Sequence, residues 1–262
     1  MVMRKIELTY QKNVRDIGGM VGFNGMKVKE RRIYRGGFLG HVTSSDVKTI
    51  NSLKLTDIVD FRSEEEFSSR PDYPFMGVKY YNIPVINEEL QKDSKINNEY
   101  DDSNLLWFLG DSTDGYGHMC NIYKQSLTTP FGANAYKEFF KVLLKDNNRV
   151  VYFHCSQGKD RAGLAAYLLE IALGVSHEDA VEDYLLTNEA MKPRLEFLKS
   201  KVKDKPFFNK EYSRAMDEVF AVNIDYLNSA IDEVKKQYGT VLEYIEKVLQ
   251  VDVDKLREIY LE

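Results

Sequence analysis

The apolar run RVVYF, residues 149 to 153, passes directly into HCSQGKDRAG and then into the apolar stretch LAAYLLEIAL. That order limits what the chain can become. RVVYF has the composition of a buried strand, and LAAYLLEIAL reads as a helix stopped by Gly174. Between them lies a tight loop with Gly158 at its centre. Successive backbone N–H groups in such a loop, aligned with a helix N-terminus, make a nest for a phosphate-like dianion.

One of the two cysteines of the chain, Cys155, opens this loop. The positive potential of a nest and a helix N-terminus favours a thiolate there. A thiolate attacks phosphorus well and leaves it well, so a phosphocysteine intermediate is reasonable chemistry. Arg161 follows Cys155 with five residues between. That arc lets its guanidinium fork clasp two phosphoryl oxygens. Cys155 is therefore expected on the floor of an anion cradle, with a buried structural cysteine as the plainer alternative.

Composition removes other classes. A formal charge of -5 argues against a general nucleic-acid binder, which needs a basic face. Two cysteines build neither a disulfide framework nor a thiolate metal site, and the four histidines lack zinc-ligand spacing. No metal and no cofactor are expected. No run reaches the roughly 18 apolar residues of a membrane span. The start MVMRKIELTY lacks the apolar core of a signal peptide, which favours a cytoplasmic over a secreted location.

Further strands are expected in RRIYRGGFL (31–39), TDIVDF (56–61) and VKYYNIPV (78–85). A helix is expected over TSSDVKTINSL, with Thr43 and Asp46 spaced as a capping box, and Ser63 and Glu66 repeat that spacing. Residues 87 to 118 are polar around the apolar island LLWFL and read as an insertion or lid. MCNIYKQSL and ANAYKEFFKVLL are helical, and DYLLTN ends a further helix. Residues 207 to 262 are helical with a break at Gly239, and Tyr226, Ile231 and Val234 mark a core-facing stripe. Cys120 reads as an inert packing residue.

HCSQGKDRAG resembles the active-site loop of the cysteine-dependent protein tyrosine phosphatases. Its GKDR segment is similar, more narrowly, to the atypical bacterial tyrosine/lipid phosphatases of the HCxxGKDR type. NVRDIGG (13–19), RIYRGGFL, IVDFRSEEEF, YNIPV, LGVSHEDAVEDYLLTN and QYGTVLEYIE extend the likeness over nearly the whole chain. The resemblance implies an α/β fold: a central, largely parallel sheet flanked by helices, the loop at a strand's C-terminal end. It implies one catalytic domain over residues 1–262, with a lid region at 87–130 and a C-terminal helical region at 207–262.

Residue by residue, the resemblance implies Cys155 as nucleophile and Arg161 as phosphate clamp. Backbone amides from Ser156 through Gln157, Gly158, Lys159 and Asp160 to Arg161 would line the cradle. His154 would tune the cysteine or simply pack at the strand end. Lys159 would meet a second phosphate, as in phosphoinositide phosphatases, or remain a solvated charge. Asp160 matches the aspartate that myotubularin-type lipid phosphatases place before the arginine as general acid. A carboxyl beside a dianion holds a proton more readily; a salt bridge to Arg161 or Lys159 is the alternative role. Arg15, Asp16, Asp60 and Arg62 are either near the site or structural ion pairs. Asp111 and Asp114 are alternative acids or solvated loop charges. Ala162 departs from the family's usual Ser or Thr.

The expected function is metal-free hydrolysis of phosphotyrosine and phosphoinositide monoesters, with such proteins and lipids as partners and no statement on oligomeric state. A non-catalytic phosphate-binding module and a rhodanese-like sulfurtransferase are the rivals. The five-residue gap to Arg161 suits phosphate better than persulfide.

Overall fold

The structure is a computed structural model and describes residues 4–87, 114–206 and 208–262. Among them, six strands form one sheet: β1 (Arg4–Lys5), β2 (Arg15–Asp16), β3 (Ile33–Gly37), β4 (Asp57–Asp60), β5 (Lys79–Asn82) and β6 (Val151–Cys155). Their order is β1-β2-β3-β6-β4-β5. The four strands from β3 to β5 are parallel, and β1 and β2 add an antiparallel edge. The α/β reading is therefore right.

Around the sheet lie α1 (Ser44–Ser52), α2 (Glu64–Ser69), α3 (Gly115–Thr128), α4 (Pro130–Leu143), α5 (Arg161–Ala172), α6 (His177–Val202), α7 (Lys210–Phe220) and α8 (Ile224–Tyr238). A short α9 (Val241–Glu243) runs into a π-helical turn at Tyr244–Val248, and α10 (Val253–Tyr260) ends the chain. Both expected capping boxes form, Thr43 with Asp46 on α1 and Ser63 with Glu66 on α2. Gly239 follows α8 with φ 94°, a left-handed residue that suits glycine at a helix end.

β6 is central, and its side chains alternate as a strand's must. Val151, Phe153 and Cys155 join the large cluster that includes Phe139 of α4 and Leu168 of α5. Tyr152 turns the other way, into a smaller cluster with Tyr34, Ile50 and Ile58. Both faces are taken, which is why RVVYF shows no polar alternation. Period two thus delivers Cys155 to the helix-rich face.

α5 is buried at every residue except Ile171, so its apolar sequence has no solvent face to mark. Tyr226, Ile231 and Val234 are buried as expected. One boundary differs. α6 does not end at Asn188 but continues through Pro193 to Val202. Asn188 looked like a stop because its amide competes for backbone. Here that amide brackets Val222 instead, accepting from its N–H at 2.8 Å and donating to its carbonyl at 2.9 Å. Of the lid region, residues 88–113 lie outside the described residues, Asp111 with them. No described helix is long and apolar enough to cross a membrane.

Candidate active site

Cys155 ends β6 between β3 and β4, paired in register with Gly37. It is 2% exposed. The loop after it folds down onto β3, and glycine makes this approach feasible on both sides. Gly158 has φ +72°, and a Cβ there would sit 2.3 Å from the carbonyl carbon and oxygen of Gly36. The Gly-Gly of RIYRGGFL is the seat of the loop.

The loop's carbonyls are pinned from outside. Phe38 N–H donates to Ser156 O at 3.3 Å, Asn13 Nδ2 to Gln157 O at 3.1 Å, and Arg35 Nη2 to Gly158 O at 3.0 Å. In a trans peptide C=O and N–H point in opposite directions. Holding these three carbonyls therefore turns the next three N–H groups, of Gln157, Gly158 and Lys159, away from β3 and its neighbours. Asp160 is the N-cap residue of α5, yet its side chain makes no capping hydrogen bond. The helix N-terminus is left open toward an anion.

Beneath the loop is a buried charge network. Arg15 donates to Asp183 through Nε at 2.8 Å and Nη2 at 2.9 Å, and Arg35 Nη1 donates to the same carboxylate at 2.7 Å. Arg15 also holds Asn13 Oδ1 at 2.6 Å, which orients the amide that pins Gln157. Burial opposes ionisation of Asp183, but Arg15 and Arg35 outweigh it and bring its pKa to about 2. Glu170, also fully buried, is pushed well above the ordinary carboxylate range by burial and by the charge of Asp183. Two guanidinium groups, of Arg15 and Arg35, thus share the one Asp183 carboxylate under the cradle.

Arg161 is held by a residue the sequence marked only as a helix cap. Its Nη1 donates to Glu66 Oε2 at 2.7 Å, and its Nη2 to Ser156 Oγ at 3.0 Å. Ser156 Oγ in turn donates to Glu66 Oε1. Burial works against the Glu66 carboxylate, but the charge and hydrogen bonds of Arg161 prevail and lower its pKa to about 2. A group depressed in this way stabilises the fold above the ordinary value of 4.5 and loses that contribution as pH falls toward 2. Urea unfolding between pH 6 and 3 should show stability dropping below about pH 4.5. Glu66→Gln should flatten that drop, because its side chain does not titrate.

Asp160 has both oxygens engaged. Tyr123 donates its hydroxyl to Oδ1 at 2.8 Å, and Lys159 Nζ lies 2.6 Å from Oδ2. Tyr184 donates to Tyr123 at 2.8 Å, so two buried phenols back the carboxylate. Lys159 is 2% exposed and turned to Asp160 rather than to solvent. Of the roles open to Asp160, the salt bridge to Lys159 is formed; Arg161 goes to Glu66 instead.

His154 points to the opposite face from Cys155. Its Nε2 lies 3.0 Å from Asp72 Oδ2, and its Nδ1 is 3.1 Å from Cys155 O. Burial disfavours the charged ring, but Asp72 and Asp60 outweigh it and raise the pKa. Arg62 closes the group, donating to Asp60 Oδ2 at 2.7 Å and lying 3.6 Å from Asp72, with Phe38 4.6 Å from its guanidinium carbon. Asp60, Asp72 and His154 are the described residues close enough to share a metal ion. The Arg62 guanidinium already occupies the Asp60 carboxylate and faces Asp72, so a metal there would have to displace it.

The remaining candidates make the following contacts. Asp16 caps backbone, accepting from Gly18 N–H at 2.8 Å and Arg31 N–H at 2.7 Å. Asp114 caps α3, accepting from Gly117 N–H at 2.8 Å. Ala162 is fully buried, its methyl in the main core. Glu66, Asn13, Arg35, Asp72, Tyr123, Tyr184 and Asp183 were not singled out for the site. Asn13, Arg35, Glu66, Asp183 and Tyr184 do lie inside the stretches that carry the family likeness.

Residues 6–262 match the family model described as the tyrosine phosphatase family. A Cupriavidus necator protein named "Putative tyrosine-protein phosphatase" is 28% identical over 255 residues, covering 95% of this chain and 85% of that one. The "Triple specificity protein phosphatase PtpB" of Mycobacterium tuberculosis is 24% identical over 278 residues, covering 95% and 99%. A Nostoc commune tyrosine-protein phosphatase is 26% identical over 152 residues, covering 57% and 46%.

Proposed function

The chain belongs to the tyrosine phosphatase family, and on that premise we propose that it hydrolyses phosphotyrosine monoesters through a phosphocysteine intermediate. The observation that carries this reading is the pinned loop, with Cys155 at its start and the Arg161 fork braced by Glu66 and Ser156. Sγ of Cys155 attacks phosphorus as the bond to the phenolic oxygen breaks. The loop N–H groups and Arg161 hold the three non-bridging oxygens throughout. For this Asp160 must exchange its contact with Lys159 for a proton when the dianion binds beside it; it then gives that proton to the departing oxygen, and takes one from the water that attacks the phosphocysteine. Phosphate leaves and Sγ is restored.

Asp160 as acid makes a specific expectation. Asp160→Asn should cost about 10²-fold or more with an alkyl or phenyl leaving group, and progressively less as the leaving group becomes more acidic. Steady-state rates across a series of aryl phosphates check this. An equal loss throughout would mark Asp160 as the residue that positions Lys159.

A wider substrate range that includes phosphoinositides is a second reading. The triple-specificity name of the M. tuberculosis relative favours breadth, whereas the burial of Lys159 against Asp160 removes the cation expected to meet a second phosphate. One panel tests both: phosphate release from phosphotyrosine peptides, phosphoserine peptides and phosphoinositides, with thiosulfate sulfurtransferase activity beside it. No phosphate release from any of them, or sulfur transfer instead, would overturn the proposal.

A further inference from the structure

Asp160 holds the N-cap position of α5, where an aspartate ordinarily turns its carboxylate onto the first free N–H groups of the helix. It makes no such bond. Its Oδ1 accepts from the Tyr123 hydroxyl instead, and its Oδ2 meets Lys159. The Lys159 contact is the one that must open before Asp160 can carry a proton. Tyr123 is then the remaining hold on its side chain among the described residues. Tyr123 is placed to keep still. Its side chain is fully buried, and its ring lies 6.2 Å from that of Tyr184 and 5.9 Å from that of Tyr226. Its oxygen accepts from the Tyr184 hydroxyl at 2.8 Å, which leaves its own proton for Asp160. Three helices, α3, α6 and α8, thus converge through these rings on one carboxylate oxygen of the loop.

We propose that Tyr123 is a positioning residue for the acid step, a proposal that rests on the phosphatase reading above and on Asp160 as its acid. A carboxylic acid has one donor oxygen and one carbonyl oxygen, and the carbonyl oxygen is the better acceptor. A phenol fixed on Oδ1 therefore places the proton on Oδ2, the oxygen that Lys159 vacates. As that proton passes to the departing oxygen, negative charge arrives on the carboxylate, and the hydrogen bond from Tyr123 strengthens with it. An interaction that tightens only as the reaction proceeds speeds the step rather than the binding of substrate. Tyr184 stands one place further back and holds the Tyr123 hydroxyl to this task. Both phenols act through Asp160.

The test is kcat/KM across a series of aryl phosphates, which reads the step in which the leaving group departs. Tyr123→Phe keeps the ring and its packing and removes the donor. It should cost about 10-fold on phenyl phosphate, the size of one hydrogen bond to a charged group. The cost should shrink to about twofold or less on a dinitrophenyl phosphate, whose leaving group departs without a proton. That substrate also reports an intact fold and cradle. Tyr184→Phe should show the same trend at about 2- to 3-fold. Added to Asp160→Asn, Tyr123→Phe should slow phenyl phosphate by no more than about twofold, because the acid it serves is already gone. Tyr244→Phe removes another buried phenol, one that donates to Leu127 O on α3 at 2.6 Å, and should show no dependence on leaving group. An equal loss across the series in Tyr123→Phe, or no loss at all, would overturn the proposal. So would a full further loss in the double variant, or an Asp160→Asn loss that is the same for every leaving group. Failure of the wild type to hydrolyse any aryl phosphate would overturn the phosphatase reading itself and the role of Tyr123 with it.

Discussion

Cys155→Ser is expected to lower phosphate release by at least ~10⁴-fold, in the range that removal of a nucleophile costs other covalent enzymes. An alcohol in this position is neither a ready nucleophile nor a good leaving group. The fold should survive, because oxygen replaces sulfur with little change of shape and the carbonyl pins do not involve Sγ. Phosphate should still bind the unchanged N–H groups. A second readout separates reactivity from exposure. Cys120 is more exposed than Cys155, so a neutral alkylating agent limited only by access should find Cys120 first. Iodoacetate carries a negative charge and should be drawn to Cys155, with vanadate protecting it. Substantial turnover by the serine variant would end the covalent mechanism.

Asp183→Asn is expected to have the largest effect on stability. Arg15 and Arg35 both rest on this one carboxylate, and all three side chains are at most 1% exposed. Removing the charge leaves two buried guanidinium groups facing each other. Breaking such a pair costs about 3–5 kcal/mol, which is roughly 10 °C in Tm for a chain of this size. The exposed Asp232→Asn should change stability by no more than about 0.5 kcal/mol. Residual folded protein should also bind phosphate less well, because Arg35 holds Gly158 O through the orientation that Asp183 gives it. A melting temperature within 2 °C or so of wild type would show that the network is not a keystone.

Much of this was legible in the chain because it is local. Capping boxes declare themselves within four residues, and both formed. The unbroken apolar run of β6 followed from burial on two faces, and the strand–loop–helix order placed Cys155 and Arg161 at one site. What escaped was everything that depends on distance along the chain. Glu66 announced itself as a cap of α2, but its hold on Arg161 joins residues 95 apart. Nothing in LGVSHEDAVEDYLLTN marks Asp183 as the partner of two arginines 168 and 148 positions earlier. Of the two roles read for Lys159, the solvated charge is the one the fold removes, because the loop is folded inward and a carboxylate partner is the adjacent residue. At Asn188 a local stop signal lost to a tertiary bracket around Val222.

The pins of the cradle carry a consequence for how the protein acquires activity. They come from Asn13, Arg35 and Phe38, far from the loop at 156–158, and Asp183 braces two of them, Arg35 directly and Asn13 through Arg15. No stretch of the chain shorter than about residues 13 to 183 contains all of these groups. Closing loops of this length is slow relative to forming helices and turns. During refolding from urea, helical signal should therefore return before catalytic competence, and phosphate release should track the slowest long-range contact. A newly made chain would carry an unarmed cysteine until its N-terminal strands had docked on the finished sheet.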